Sequence, residues 1–374
     1  MAACKGSRRH GLVSAAAGFA LVALLVSPIA GARVQAPSGI AARCHFVKKK
    51  VHGKVRKARV CAKTKPAPKP AARVVAKATL DGQIAEIADG FGSLWIRVIS
   101  PTTGATVVER IDPANLSVLA RIPAGVDVSS RLNPYGLAVG EGAVWVPNHD
   151  AETLSRIDPA TNSVAARIPL PDVGAHAITT SPGAVWVGTE GPEGKPGVFA
   201  RIDPATDKVV ATIVAPRVSG VLDLAFGAGS LWAALDQGAA RVDLTSNSVS
   251  AFIVLPGSSN PCGGVAADDS AVWVAPSQGC FGQGHPNGAL VKINPSTNAA
   301  SALSVGRPSD VAIGLGSVWT PDIDGVLRRF NPSTGTLEGT LKIDTTGATV
   351  VAVANGAVWV GDANGTLLEL APTS

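Results

Sequence analysis

Residues 142–170 read GAVWVPNHDAETLSRIDPATNSVAARIPL, and how this stretch is read decides the fold. A β-branched run around a tryptophan is followed by a polar loop, a second run ending in RID, a PATN turn and a third run. Proline fixes φ in the turn and asparagine tolerates left-handed backbone, so the chain reverses there. Short apolar runs between Gly, Pro and Asn turns are what antiparallel strands need. Upstream, YGLAV at 135–139 supplies one more strand, giving four in a row, A to D.

The pattern recurs. All seven tryptophans stand in one motif, at Trp95, Trp145, Trp186, Trp232, Trp273, Trp319 and Trp359, with intervals of 50, 41, 46, 41, 46 and 40 residues. A second marker follows each: RIDPAN from 110, RIDPAT from 156 and 201, RVDLTS from 241, KINPST from 292, RFNPST from 329 and a worn ELAPTS from 369. A period of 40–50 residues with two fixed markers predicts an all-β chain, a seven-bladed β-propeller of four-stranded blades. The last unit ends at Ser374 after only three strands, while RVVAKATL (73–80) reads as a fourth strand with nothing before it. Residues 73–80 are therefore expected to close the last blade and leave no open edge. The tryptophans are expected to be core residues between blades.

Charge divides the chain. Residues 1–80 hold 17 Lys/Arg and no acid; the remaining 16 Lys/Arg face all 27 Asp/Glu, a net −11 beneath an overall +6. Residues 1–32 read as a signal peptide: KGSRRH, an apolar run at 11–31 and small residues AGA at 30–32 for cleavage after Ala32, with VQA at 34–36 as a second place. The same run is long enough to stay as an uncleaved anchor. SRRHGLV is similar to a twin-arginine export motif. A secreted or cell-envelope location follows. Residues 33–72 form a basic Lys/Pro-rich arm, and residues 73–374 the propeller. With Cys4 set aside, four cysteines in an exported chain suggest two disulfides, sequence-local as Cys44–Cys61 and Cys262–Cys280. The arm suits an anionic cell-wall polymer, a membrane surface or its own acidic body, or serves as a solvated tether. Nucleic acid is not an expected partner of an exported protein, and a monomer is expected.

Ligand residues are sought where propellers carry them, on the face shared by the D-to-A and B-to-C connections. Nine positions before the tryptophans stand Glu86, Gly136, Ala177, Asp223, Gly264, Asp310 and Val350, with Tyr135 and His176 one position earlier. The B-to-C loops add His149, Asp150, Glu190, Asp236 and His285. Glu86, Tyr135, His149, Asp223, His285 and Asp310 are the expected ligand face for a small molecule, peptide or protein. The three carboxylates at one repeat position have two readings: a hard-cation site for Mg²⁺ or Ca²⁺, or acceptors for backbone N–H groups of their own turns. The first reading takes Mg²⁺ or Ca²⁺ as its cofactor; the second takes none.

The repeat GxGAVWV…RIDPATN.V.A.IP resembles the YVTN-type and streptogramin B lyase-like propeller repeats of secreted bacterial proteins over residues 73–374. The segment HAITTSPGAVWVGTE (176–190) is similar to the run of the streptogramin B lyases that carries a catalytic histidine and a Mg²⁺-binding glutamate. The resemblance implies His176 as base or acid, Glu190 as metal ligand, and elimination at the ester of a cyclic depsipeptide. Glu190 stands four residues after Trp186, one more than in that family. The reading from composition and repeat is a binding propeller; the lyase is the alternative. The chain has no P-loop, HExxH, CxxC or GxSxG motif.

Overall fold

The structure is a computed structural model that describes residues 44–51, 54–61, 69–127, 136–217, 220–236, 238–256, 263–275, 288–343 and 349–373. The chain divides at Pro66/Ala67 into two units. The first holds one antiparallel hairpin, Cys44–Val51 paired with Lys54–Cys61, whose register sets Cys44 opposite Cys61. The side chains of Cys44 and Cys61, the residues Cys262 and Cys280 and the signal segment 1–32 lie outside what the structure describes.

The second unit is a seven-bladed propeller of four-stranded antiparallel sheets. Blade three is representative: strands Ala175–Ser181, Ala184–Thr189, Val198–Asp203 and Lys208–Val214 pair in sequence order. In six blades all four strands follow in chain order, starting at Gln83, Ala138, Ala175, Val221, Val265 and Ala312. In the seventh, Thr349–Ala354, Ala357–Asp362 and Thr366–Pro372 are joined by Ala72–Thr79, with Thr366 opposite Thr79 and Pro372 opposite Ala72. Just before it, Lys69–Pro70 runs parallel to the outer strand of blade six, Leu337–Lys342. The entering chain is thus sewn to two blades, and Ala71 and Ala72 between them are buried.

The two sequence markers make one interaction. Every tryptophan side chain is 1% exposed or less, and the Arg or Lys of the second marker lies directly across the sheet from it, as in Trp95–Arg110 and Trp186–Arg201. The cation sits over the indole at 5.0–5.8 Å in the first six blades. It then reaches the C-to-D turn of the next blade: Arg110 donates to Pro159 O at 2.8 Å, Arg201 to Asn247 Oδ1 at 2.9 Å and Arg241 to Pro295 O at 2.7 Å. In those turns the aspartate accepts an N–H two residues on, as Asp158 does from Ala160, and Asn162 and Asn247 hold φ near +50°. The repeat therefore encodes contact between blades as well as the strands within one.

Candidate functional site

Strand A of blade three carries a β-bulge at His176: Ala175 pairs with Thr189 and Ala177 with Gly188, leaving His176 extra. The same irregularity falls at Ala85 in blade one and Leu222 in blade four. The bulge therefore belongs to the repeat, and the histidine in it to blade three. A bulge re-aims the extra side chain out of the strand's alternation. Here that brings His176 Nδ1 to 3.8 Å from Glu190 Oε1.

Glu190 follows strand B of the same blade, its N–H donating to Gly174 O at 3.1 Å. Gly174 has φ +72°, and a Cβ on it would stand 2.8 Å from Glu190 Cβ, so only glycine lets the two connections close on one another. His149, from the B-to-C hairpin of blade two, arrives from the other side, with Nε2 3.6 Å from Glu190 Oε2 and Nδ1 2.9 Å from Asp150 Oδ1. The imidazole centroids are 6.3 Å apart. One carboxylate thus stands between two histidines from neighbouring blades. Asp236 of blade four borders it: its carboxylate accepts Gly220 N–H at 2.7 Å, and the Cβ position of Gly220 lies 3.4 Å from Glu190 Cα.

The two histidines are driven apart. Hydrogen bonding to Glu190 raises the pKa of His149, against the opposing effect of partial burial, and Asp150 adds to the rise. Burial lowers that of His176, which is 1% exposed. His176 Nδ1 is 2.9 Å from Gly174 O; a carbonyl only accepts, so Nδ1 carries the hydrogen and the lone pair of the neutral ring is on Nε2. An imidazole whose pKa burial lowers and an imidazole whose pKa its acidic partners raise share one carboxylate.

Behind His149 runs a buried polar chain that the sequence reading missed. Asp150 N–H donates to Asp127 Oδ1 at 3.4 Å, Asp127 Oδ2 accepts from Arg97 Nη2 at 2.7 Å and Thr106 Oγ1 at 3.1 Å, and Arg97 Nη1 donates to Gly136 O at 2.9 Å. Both Arg97 and Asp127 side chains are fully buried. A signal existed: two positions after each tryptophan the blades carry Arg97, Pro147, Gly188, Ala234, Ala275, Pro321 and Gly361, and only the first is charged.

Glu86, Asp223 and Asp310 form a second group, separate from the histidines. Asp223 accepts N–H from Leu224 at 2.8 Å and, across the blade boundary, from Val265 at 2.7 Å. Asp310 does the same with Val311 at 2.7 Å and Val351 at 2.8 Å, and Glu86 accepts from Ile87 at 2.9 Å. Burial pushes Asp223 up to about 7 and Asp310 to about 6; it raises Glu86 well above the usual carboxylate range, aided by Asp310 and Asp223. Two of these carboxylates strap neighbouring blades together with both oxygens on N–H groups. Among the described residues no group of three or more His, Cys, Asp or Glu can hold a metal ion. Neither the three carboxylates nor the His176–Glu190 pair fits the divalent cation that the lyase resemblance implies. Tyr135 and His285 lie outside the described residues.

No protein-family model matches the chain, and no curated protein is similar to it. Solved structures are. The hydrazine synthase of Kuenenia stuttgartiensis superimposes with a TM-score of 0.62 at 14% identity, covering 79% of this chain and 97% of that one. The Pan2 WD40 domain of Neurospora crassa gives 0.61 at 10% identity, with 83% and 98% covered. The computationally designed Ika8 protein gives 0.54 at 12% identity, with 79% and 98% covered. At such identities the likeness is one of fold, and it establishes the propeller.

Proposed function

We propose that this chain is a secreted or cell-wall-associated propeller that binds a small molecule, peptide or protein on its loop face at the His149–Glu190–His176 cluster. One observation carries the reading: a half-exposed carboxylate stands within 4 Å of two histidines from adjacent blades, backed by a buried ion pair that holds the loops. Convergence of titratable groups whose pKa values are pushed in opposite directions is the pattern expected of a binding or reacting site. The test is a thermal-shift screen of small molecules and peptides against the wild type and Glu190→Gln. Ligands whose stabilisation disappears in Glu190→Gln support the reading; hits that are indifferent to Glu190→Gln and to His149→Ala overturn it.

A second reading, favoured by the 3.8 Å approach of His176 to Glu190, is a lyase of the streptogramin B type. His176, neutral with its Nε2 lone pair, would take a proton next to the ester; the carbon–oxygen bond would break to an alkene and a carboxylate, which His149 would steady as a proton donor. The metal of that family has no fitting site among the described residues, so no step passes through it. Incubation with a streptogramin-B-type depsipeptide, read by chromatography and mass spectrometry, tests it. A product of unchanged mass and new retention that vanishes in His176→Ala supports elimination; a gain of one water, or no product, counts against it. The basic arm is proposed to tether the protein to anionic wall polymer, with salt-sensitive retention on isolated walls as its test.

A further inference from the structure

One repeat position breaks its own rule. Just before the second-marker cation, the blades carry Glu109, Ser155, Ala200, Ala240, Val291, Arg328 and Leu368. The position faces the packing between blades, and all but Arg328 are buried. Two blades place a charge there. In blade six, Arg328 is matched by the buried Asp322. In blade one, Glu109 is matched on one side only: Arg121, opposite it in the outer strand, reaches Oε1 at 3.2 Å. Oε2 is buried and has no hydrogen-bond partner.

Glu109 is also one of the residues that line a cavity. The cavity, of about 480 Å³, lies on blade one, walled by Val98, Val107 and Pro123 and bearing Asp81, Glu109 and Arg121 as its charged residues. Its size is that of a small-molecule pocket, roughly 300–1,000 Å³. Glu109 pairs across the sheet with Ile96, and Ile96 packs with Leu367 and Leu80 of the seventh blade and its closing strand, so the pocket opens on the face of blade one that meets blade seven. Two carboxylates against one guanidinium leave it one negative charge in excess. Burial of a carboxylate oxygen without a donor is destabilising, and a ligand that donates relieves it. Consistently, burial raises the pKa of Glu109, and Asp81 adds to the rise while Arg121 opposes it.

We propose that this pocket binds a small organic cation, a primary ammonium on a short apolar stem, with the ammonium donating to Glu109 Oε2 and drawn by Asp81, and the stem against Val98, Val107 and Pro123. An ammonium carries three donors and no acceptor, which matches the two carboxylates of a lining whose one cation, Arg121, is already paired with Glu109 Oε1. The site is independent of the histidine cluster and of the function proposed for it.

Calorimetric titration of the full chain with n-pentylammonium tests this, with 1-pentanol as the neutral match. Saturable amine binding is expected, at least tenfold weaker in the near-isosteric Glu109→Gln, several-fold weaker in Asp81→Asn, and unchanged in Glu190→Gln. Pentanol is expected not to bind. Absence of saturable amine binding, equal affinity in Glu109→Gln, or equal binding of pentanol overturns the proposal; the last would mean an apolar hole whose carboxylate is met by water. Should Glu109→Gln not fold, Asp81→Asn, on the exposed connection into blade one, decides alone. Loss of amine binding in Glu190→Gln would place the amine at the histidine cluster and also overturn it.

Discussion

Raising the pH from 5 to 7 should weaken this propeller, and Asp223→Asn should remove much of the effect. Asp223 has its carboxyl pushed from 3.8 to about 7 by burial. In the unfolded chain it ionises near its ordinary value, so between those two limits the folded state holds a proton that the unfolded state has lost. Stability contributed by a raised carboxyl is complete below the unfolded pKa and lost as pH rises through the folded one. The slope is about 1.4 kcal/mol per pH unit for each such proton, so Asp223 alone accounts for a loss on the order of 4 kcal/mol between pH 4 and 7. Asp310, at about 6, adds a smaller loss that ends a unit earlier. His176 acts in the opposite sense: its lowered pKa makes stability fall on acidification through about 6.5. It does so equally in both proteins and cancels in the difference. Asp223→Asn keeps one acceptor for the N–H groups of Leu224 and Val265 and cannot ionise. Urea unfolding at pH 5, 6 and 7 should show the variant gaining on the wild type by about 2–3 kcal/mol across the range. A difference that stays constant, or moves the other way, would refute the argument that these carboxylates are straps held against ionisation.

Three other outcomes follow from the same structure. Asp127→Ala leaves the guanidinium of Arg97, fully buried, without its charge partner, and should cost about 3–5 kcal/mol in denaturant unfolding, while the double change Arg97→Met with Asp127→Leu should recover most of it. Gly174→Ala combines a φ of +72° with a Cβ 2.8 Å from Glu190 Cβ; it should lower the melting temperature and bring the His149 pKa back toward 6.5 in an NMR titration, because Glu190 is displaced. Deleting residues 33–66 should leave the melting temperature nearly unchanged, whereas deleting 33–80 should lower it sharply, since Ala72–Thr79 supplies a strand to the seventh blade.

The fold was legible because the interaction that builds it repeats. A tryptophan recurs every 40–50 residues with a cation after it in six of the seven units, and a contact made in six blades leaves its mark in six units. The site was legible in part. His176 and Glu190 stood out as polar residues at the mouth ends of strands A and B, and the chain brings them together. The spacing from Trp186 to Glu190 is one residue longer than in the resembling family, and here a bulge at His176 rather than simple alternation sets the geometry. His149 could be placed on the right face but not beside Glu190, because that depends on how two blades meet. Arg97 and Asp127 were missed because Asp127 lies in an irregular connection with no period to betray it. Glu109 was missed because nothing local in ATVVERI separates a buried carboxylate from an exposed one; only comparison across seven blades does.

The account rests most on two histidines that flank one carboxylate having their pKa values moved in opposite directions, His149 up by its bond to Glu190 and His176 down by burial. The direct measurement is the pH dependence of their ring ¹⁵N shifts, assigned by His149→Gln and His176→Gln. The account predicts that His149 titrates above 6.5, that His176 titrates below it as the Nδ1–H tautomer, and that Glu190→Gln lowers the His149 value. Two rings titrating together near 6.5 and indifferent to Glu190→Gln would contradict it.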